Sequence, residues 1–289
     1  MHRALGLTFC AVMCAIVCSG CVEKTRPTRA PYFGPTDTLA DVLQQISQRN
    51  AVMDSLRCSG TFSADIVDPE TKARTTGDGD VTLLFKPRRN VRLVGKVIGT
   101  TVFDIASNDE RYWLILPEKT DTMWWGYHRL IGTARAAKLP VRPDLIAEVI
   151  GVAAPDVDLL KEPTPLLRFN NDQDCYMITW HITLGDRAAV QKEVWYDRAS
   201  LQPRMVLLFD ANGRVTLRAY LSKPQAVSGF ETQVMLASRY DLFFPDSGSR
   251  FVIELTDLDR SRNGAPTARS FQFPGDDRSG VSKVIQIDE

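Results

Sequence analysis

Histidine is scarce, with three residues among 289. Neither His128 nor His181 has a Cys, His or carboxylate at a metal-ligand spacing. The chain has no Gly-x-Ser-x-Gly elbow and no glycine loop that would cradle a phosphate. Catalytic residues, metal sites and cofactors are therefore not expected, and the domain reads as a binder. Charge of one sign is also missing. Lys and Arg number 35 against 35 Asp and Glu, which gives no basic face for nucleic acid. No apolar run reaches the ~20 residues of a spanning helix. The longest, Ala4 to Val17, has the length of a signal-peptide core. Cysteine is nearly confined to the start: Cys10, Cys14, Cys18 and Cys21 precede only Cys58 and Cys175. In an oxidising compartment those two could pair, or they could lie apart as small buried residues.

What is present begins with Met1-His2-Arg3, a short positive region before the apolar run. Val17-Cys18-Ser19-Gly20-Cys21 follows. It resembles the lipobox of bacterial lipoproteins, in which the chain is cut before a cysteine that is then acylated. Cys18 stands where that pattern usually has Leu, while small Ser19 and Gly20 suit the peptidase. The resemblance implies residues 1–20 as a signal peptide and Cys21 as the lipid-attachment site. A di- or tri-acyl (palmitate-type) cysteine would hold the chain at a membrane where one acyl chain binds only marginally. Val22 after the cysteine, in place of Asp, implies an outer-membrane destination facing the periplasm. Residues 21–37, with Pro27, Pro31 and Pro35, read as an extended tether.

From Thr38 the pattern becomes structural, and residues 38–289 are expected to form one domain. Thr38 and Asp41 make a variant capping box. Leu39, Val42, Leu43 and Ile46 lie on one helical face, with Val52, Met53 and Leu56 extending it. From Cys58 the period shortens toward two. Strands are predicted at Thr61–Val67, Val81–Phe85, Val91–Ile98, Phe103–Ala106, Arg111–Leu116 and Met123–Tyr127. Lys86-Pro87-Arg88-Arg89-Asn90 reads as a solvated hairpin turn. Pro143, the stripe Leu145, Ile146, Val149 and Ile150, and Gly151 predict a second helix. After the prolines at 155, 163 and 165, strands resume at Cys175–Leu184, Val190–Tyr196, Met205–Asp210, Val215–Leu221, Thr232–Tyr240 and Arg250–Leu255. Short strands joined by tight turns predict an antiparallel meander. Several are apolar on both faces, so the sheet must be covered on each side or curl around an interior.

This layout resembles the periplasmic lipoprotein-carrier superfamily, whose members include the lipoprotein chaperone LolA and its outer-membrane receptor LolB. The further cues are Arg111-Tyr112-Trp113-Leu114-Ile115-Leu116-Pro117, Trp124-Trp125-Gly126, and the ending Phe271-Gln272-Phe273-Pro274 with Val284-Ile285-Gln286-Ile287-Asp288. The resemblance implies a mainly β fold with two lid helices, an unclosed antiparallel barrel of about eleven strands. Its concave face would hold acyl chains. The superfamily's lid-locking arginine and protruding leucine are not assigned to residues here.

The aromatics supply large apolar faces, and the expected cavity lining is Trp113, Leu114, Trp124, Trp125, Trp180, Leu145 and Val149. His181, between Trp180 and Ile182 on a strand, is expected to point away from them. The partners expected are the membrane, through Cys21, and a lipid or acylated lipoprotein as cargo. No nucleic acid is expected, and the chain is read as a monomer. A lipidated barrel suits a receptor-like role in lipoprotein localisation better than a shuttle. The same fold also serves non-catalytic envelope sensors and interaction modules.

Overall fold

A computed structural model describes residues 30–68, 71–117, 121–130, 143–260, 264–275 and 280–288. The expected leader, Cys21 and the first part of the tether lie outside the described residues. The last part of the tether is fastened to the domain. Tyr32 donates its N–H to the Asn171 carbonyl at 3.0 Å and lies 3.7 Å beneath the Arg198 guanidinium. The Asp37 N–H donates to the Tyr176 hydroxyl at 2.9 Å.

Helix α1, Leu39–Ala51, forms where the apolar spacing predicts it. Thr38 caps it: its hydroxyl accepts from the Asp41 N–H at 3.3 Å and donates to the Asp41 carboxylate at 2.7 Å. Val42, Leu43 and Ile46 are fully buried. The helix stops at Ala51 and does not run on to Leu56. Val52 is exposed, Met53 is buried in the connection, and Leu56 opens the first strand with buried Cys58 two residues on. There the spacing has already changed from helical to period two.

The strands are β1 (Leu56–Val67), β2 (Arg74–Lys86), β3 (Asn90–Val97), β4 (Thr100–Ser107), β5 (Arg111–Leu116) and β6 (Thr122–Tyr127). A short helix, α2 (Ile146–Ile150), follows a 3-10 turn at Pro143–Leu145. Then come β7 (Thr164–Asn170), β8 (Cys175–Leu184), β9 (Arg187–Asp197), β10 (Pro203–Phe209), β11 (Val215–Val227), β12 (Val234–Phe244), β13 (Ser249–Asp257) and β14 (Lys283–Gln286). All fourteen form one sheet, in the order β14-β6-β5-β4-β3-β2-β1-β13-β12-β11-β10-β9-β8-β7. β14 and β7 stand at its two ends, so the barrel is unclosed.

The sheet exceeds the expected count of about eleven, and the twelve segments predicted as strands omit β7 and β14. β7 contains Pro165, which marks a loop in most contexts but is tolerated on an edge strand. β14 has only four residues and pairs with β6 in parallel, an exception to the otherwise antiparallel sheet.

The concave face is apolar from strand to strand. Ile105, Leu93, Leu83 and Cys58 are successive register partners across β4, β3, β2 and β1. Ile178, Val194, Val206, Ala219, Leu242 and Phe251 make the equivalent row from β8 to β13. Helix α1 lies against this face and plugs much of the interior. Opposite, β11 to β13 carry ion pairs: Arg250 with Asp241, Lys223 with Glu254 at 3.3 Å, and Arg239 with both acids.

Leu43 marks the plug. Leu43→Ala should lower the unfolding free energy by about 2–5 kcal/mol in urea titrations, whereas exposed Gln44→Ala should change it by less than about 0.5 kcal/mol. Equal effects would mean that α1 is not packed as described.

Candidate functional site

The barrel holds a cavity of about 960 Å³, at the upper end of the ~300–1,000 Å³ usual for small-molecule sites. One wall is apolar: Trp180 and Ile182 from β8, Val194 and Tyr196 from β9, and Leu145 and Ile146 at the start of α2. The lining also carries charge, including Arg88, Arg89 and Arg129 and, ahead of β7, Asp156, Lys161 and Glu162.

Local sequence explains the position of α2. Pro143 starts the 3-10 turn, and Gly151 ends the helix at φ 82°, where its N–H reaches the Ala147 and Glu148 carbonyls at 3.0 Å. The Tyr240 hydroxyl donates to the Ile150 carbonyl at 3.3 Å, and the Asn50 amide of α1 donates to the Ala153 carbonyl. These contacts hold the wall to the barrel.

At the back of the cavity Lys192 projects from β9, in phase with apolar Val194 and Tyr196. Its ammonium meets the Glu148 carboxylate of α2 at 2.5 Å and lies 4.8 Å from the Trp180 ring centroid. Lys192 is only 8 % exposed. Such a pair roughly balances desolvation against Coulomb attraction, but losing one partner strands the other charge. Burial also raises the pKa of the Tyr196 phenol, so it stays protonated.

His128, just after β6, forms a 3.0 Å hydrogen bond between its Nε2 and the Ser107 hydroxyl. Burial lowers its pKa, and the positive charge of Arg89 lowers it further. Among the described residues no group of three or more His, Cys, Asp or Glu could hold a metal. No described helix is long and apolar enough to cross a membrane.

Of the expected lining residues, Leu145 and Trp180 meet at the cavity wall. Val149 is buried in the core behind it. Trp113 and Trp125 lie on the other face of the sheet, where they pack with Met123, Phe273 and Val284 of the C-terminal segment. Leu114 and Trp124 extend the concave row from Ile105, and Trp124 packs with Tyr112, Ile285 and Ile287; neither is among the residues that line the cavity. Gly126 makes that packing possible, since a Cβ there would sit 2.7 Å from the Tyr112 hydroxyl oxygen. Cys21 lies outside the described residues. Cys58 and Cys175 are both free and buried, with thiol pKa values pushed up by burial to about 12 and about 11.

Sequence reasoning missed the charged residues. Arg88 and Arg89 were expected to be no more than a solvated turn, yet they edge the cavity. Lys192 carried a legible signal, a cation in phase with apolar Val190, Val194 and Tyr196 on β9.

No protein-family model and no curated protein matches the chain. Solved structures do. A LolA superfamily protein from Nitrosomonas europaea superposes with a TM-score of 0.51 at 13% identity, covering 82% of this chain and 99% of its own. A DUF1329 family protein from Desulfovibrio piger gives 0.52 at 14%, covering 82% and 100%. The fold is LolA/LolB-like.

Two predictions follow from this geometry. Glu148→Gln should destabilise the LolA/LolB-like domain by about 3–5 kcal/mol by stranding Lys192, and adding Lys192→Met should restore most of the loss. A double-mutant cycle in denaturant reads this directly. The second prediction concerns pH. Because the folded pKa of His128 is lowered, the unfolded chain takes up its proton first on acidification. Stability should therefore fall from about pH 6.5 downward, by at most about 1.4 kcal/mol per pH unit from this group, until the folded imidazole protonates. His128→Gln should flatten that segment of a stability–pH curve. The depressed carboxylates Asp210 and Glu254 act only at lower pH.

Proposed function

We propose that the chain is an envelope lipoprotein, anchored through acylated Cys21 and facing the periplasm from the outer membrane. Its open barrel receives a lipid or the acylated end of another lipoprotein, in a receptor-like part of lipoprotein localisation. The observation that carries this reading is the cavity of about 960 Å³ lined in part by Trp180, Ile182, Val194, Tyr196, Leu145 and Ile146. The carrier-like fold supports it. Nothing in the cavity suggests a reaction, and no catalytic role is proposed.

A second feature supports work at a membrane. Ile98 at the β3–β4 hairpin tip is 100% exposed and adopts φ 48°, with Gly99 at φ 83°. Asn is the usual first residue of such a turn, and a β-branched residue there is a conformational outlier. The strain costs on the order of 1–3 kcal/mol, and the side chain gains no burial within the domain. An apolar tip held out at that cost suits insertion among acyl chains.

The alternative reading is a non-catalytic sensor or interaction module. Edge strand β7 favours it, since its outer side has no strand partner among the described residues and exposes Leu166.

Organic extraction of the purified full chain separates the readings. A homogeneous non-covalent acyl species is expected, and an empty protein after gentle purification would contradict cargo binding. Loss of lipoproteins from the outer membrane on depletion would support the receptor over the sensor. For the tip, Ile98→Asn in the full chain carrying Cys21→Ser should raise stability by up to about 1 kcal/mol. It should also weaken association with phosphatidylcholine vesicles in a flotation assay. Unchanged flotation would remove Ile98 from the membrane-contact account.

A further inference from the structure

Among the described residues the cavity wall carries six cations, Arg88, Arg89, Arg129, Lys161, Arg187 and Lys192, against four carboxylates, Asp144, Glu148, Asp156 and Glu162. The carboxylates are engaged. Glu148 holds Lys192, Asp156 holds Lys161 at 2.6 Å, Glu162 accepts from the Thr183 hydroxyl, and Asp144 also has a partner. Arg187 is taken up by the Ala211 carbonyl at 3.1 Å.

Arg88, Arg89 and Arg129 differ. None has a carboxylate partner among the described residues, although Arg129 stacks 4.8 Å from the Tyr127 ring centroid. Arg89 lies close enough for its charge to add to burial in lowering the His128 pKa, and His128 lines the same cavity. Positive charge is thus left over in a cavity whose lining also includes apolar Trp180, Ile182 and Leu145.

The geometry points to an amphiphile with an anionic head group. Its chain lies along Trp180, Ile182 and Leu145, and its head, a phosphate or phosphodiester, sits among Arg88, Arg89 and Arg129. This assignment rests on the lipid-binding reading above and adds the charge of the ligand to it. Guanidinium forks match phosphate oxygens in two hydrogen bonds at once, and each cation facing an anionic lipid contributes a modest electrostatic gain. Three together should favour an anionic head by about tenfold or more.

Calorimetry on the full chain would compare myristoyl lysophosphatidylglycerol, myristoyl lysophosphatidylcholine and glycerol 3-phosphate. The anionic lysolipid should bind at least about tenfold tighter than its zwitterionic counterpart, and added salt should shrink the gap. The combined change Arg88→Ala, Arg89→Ala and Arg129→Ala should abolish the gap, weakening the anionic lipid more than the zwitterionic one, while leaving the thermal midpoint unchanged. Equal affinities in the unaltered chain would overturn the head-group assignment and leave the lipid-binding reading standing. If neither lysolipid binds, both fail. Glycerol 3-phosphate binding as tightly as the lysolipid would mean a free-anion site and would overturn the amphiphile.

Discussion

One apolar face runs across the single sheet of this chain, and it cannot be left in water. Curling hides part of it. Helix α1 hides more, with Val42, Leu43 and Ile46 fully buried against the concave rows. Between β8, β9 and α2 the apolar face is not fully covered, and a cavity opens there. Incomplete cover is therefore both the fold's structural problem and the source of its binding space. Burial at ~25 cal/mol per Å² of apolar surface makes each covering element worth keeping. It also means that a ligand chain covering the rest would be held without directional bonds.

The cavity is not the plain apolar pocket that its aromatic-rich sequence suggested. Its back wall contains an ammonium–carboxylate pair between β9 and α2, and its edge carries three arginines. The pair fastens a short helix of only five residues, too short to persist alone, to a strand whose neighbours are apolar. Charge at the edge and hydrocarbon at the wall give the site a polarity along its length. That polarity separates it from a simple core void and gives a bound amphiphile one preferred orientation.

Much of this architecture could be read from the chain. Period-two alternation located the central strands, Thr38 and Gly151 marked helix ends, and the closing Val284 to Asp288 motif resembled the superfamily before its pairing was known. Two strands were hidden because proline in β7 and brevity in β14 suppress the local signal that pairing partners restore. The tryptophans misled for a different reason. Trp113 and Trp125 are as apolar as Trp180, and only sheet register assigns them to the face under Phe273. Register depends on neighbours distant in sequence, and so does the convergence of Arg88, Arg129 and Lys192 on one space.

The central claim is that hydrocarbon occupies the space between β8, β9 and α2. A myristic acid bearing a diazirine near its methyl end, photolysed with the full chain and mapped by peptide mass spectrometry, tests it directly. Labels are predicted on the peptides containing Trp180 and Leu145. Labelling confined to the Trp113 and Trp125 face, or none above an unfolded control, would contradict the account.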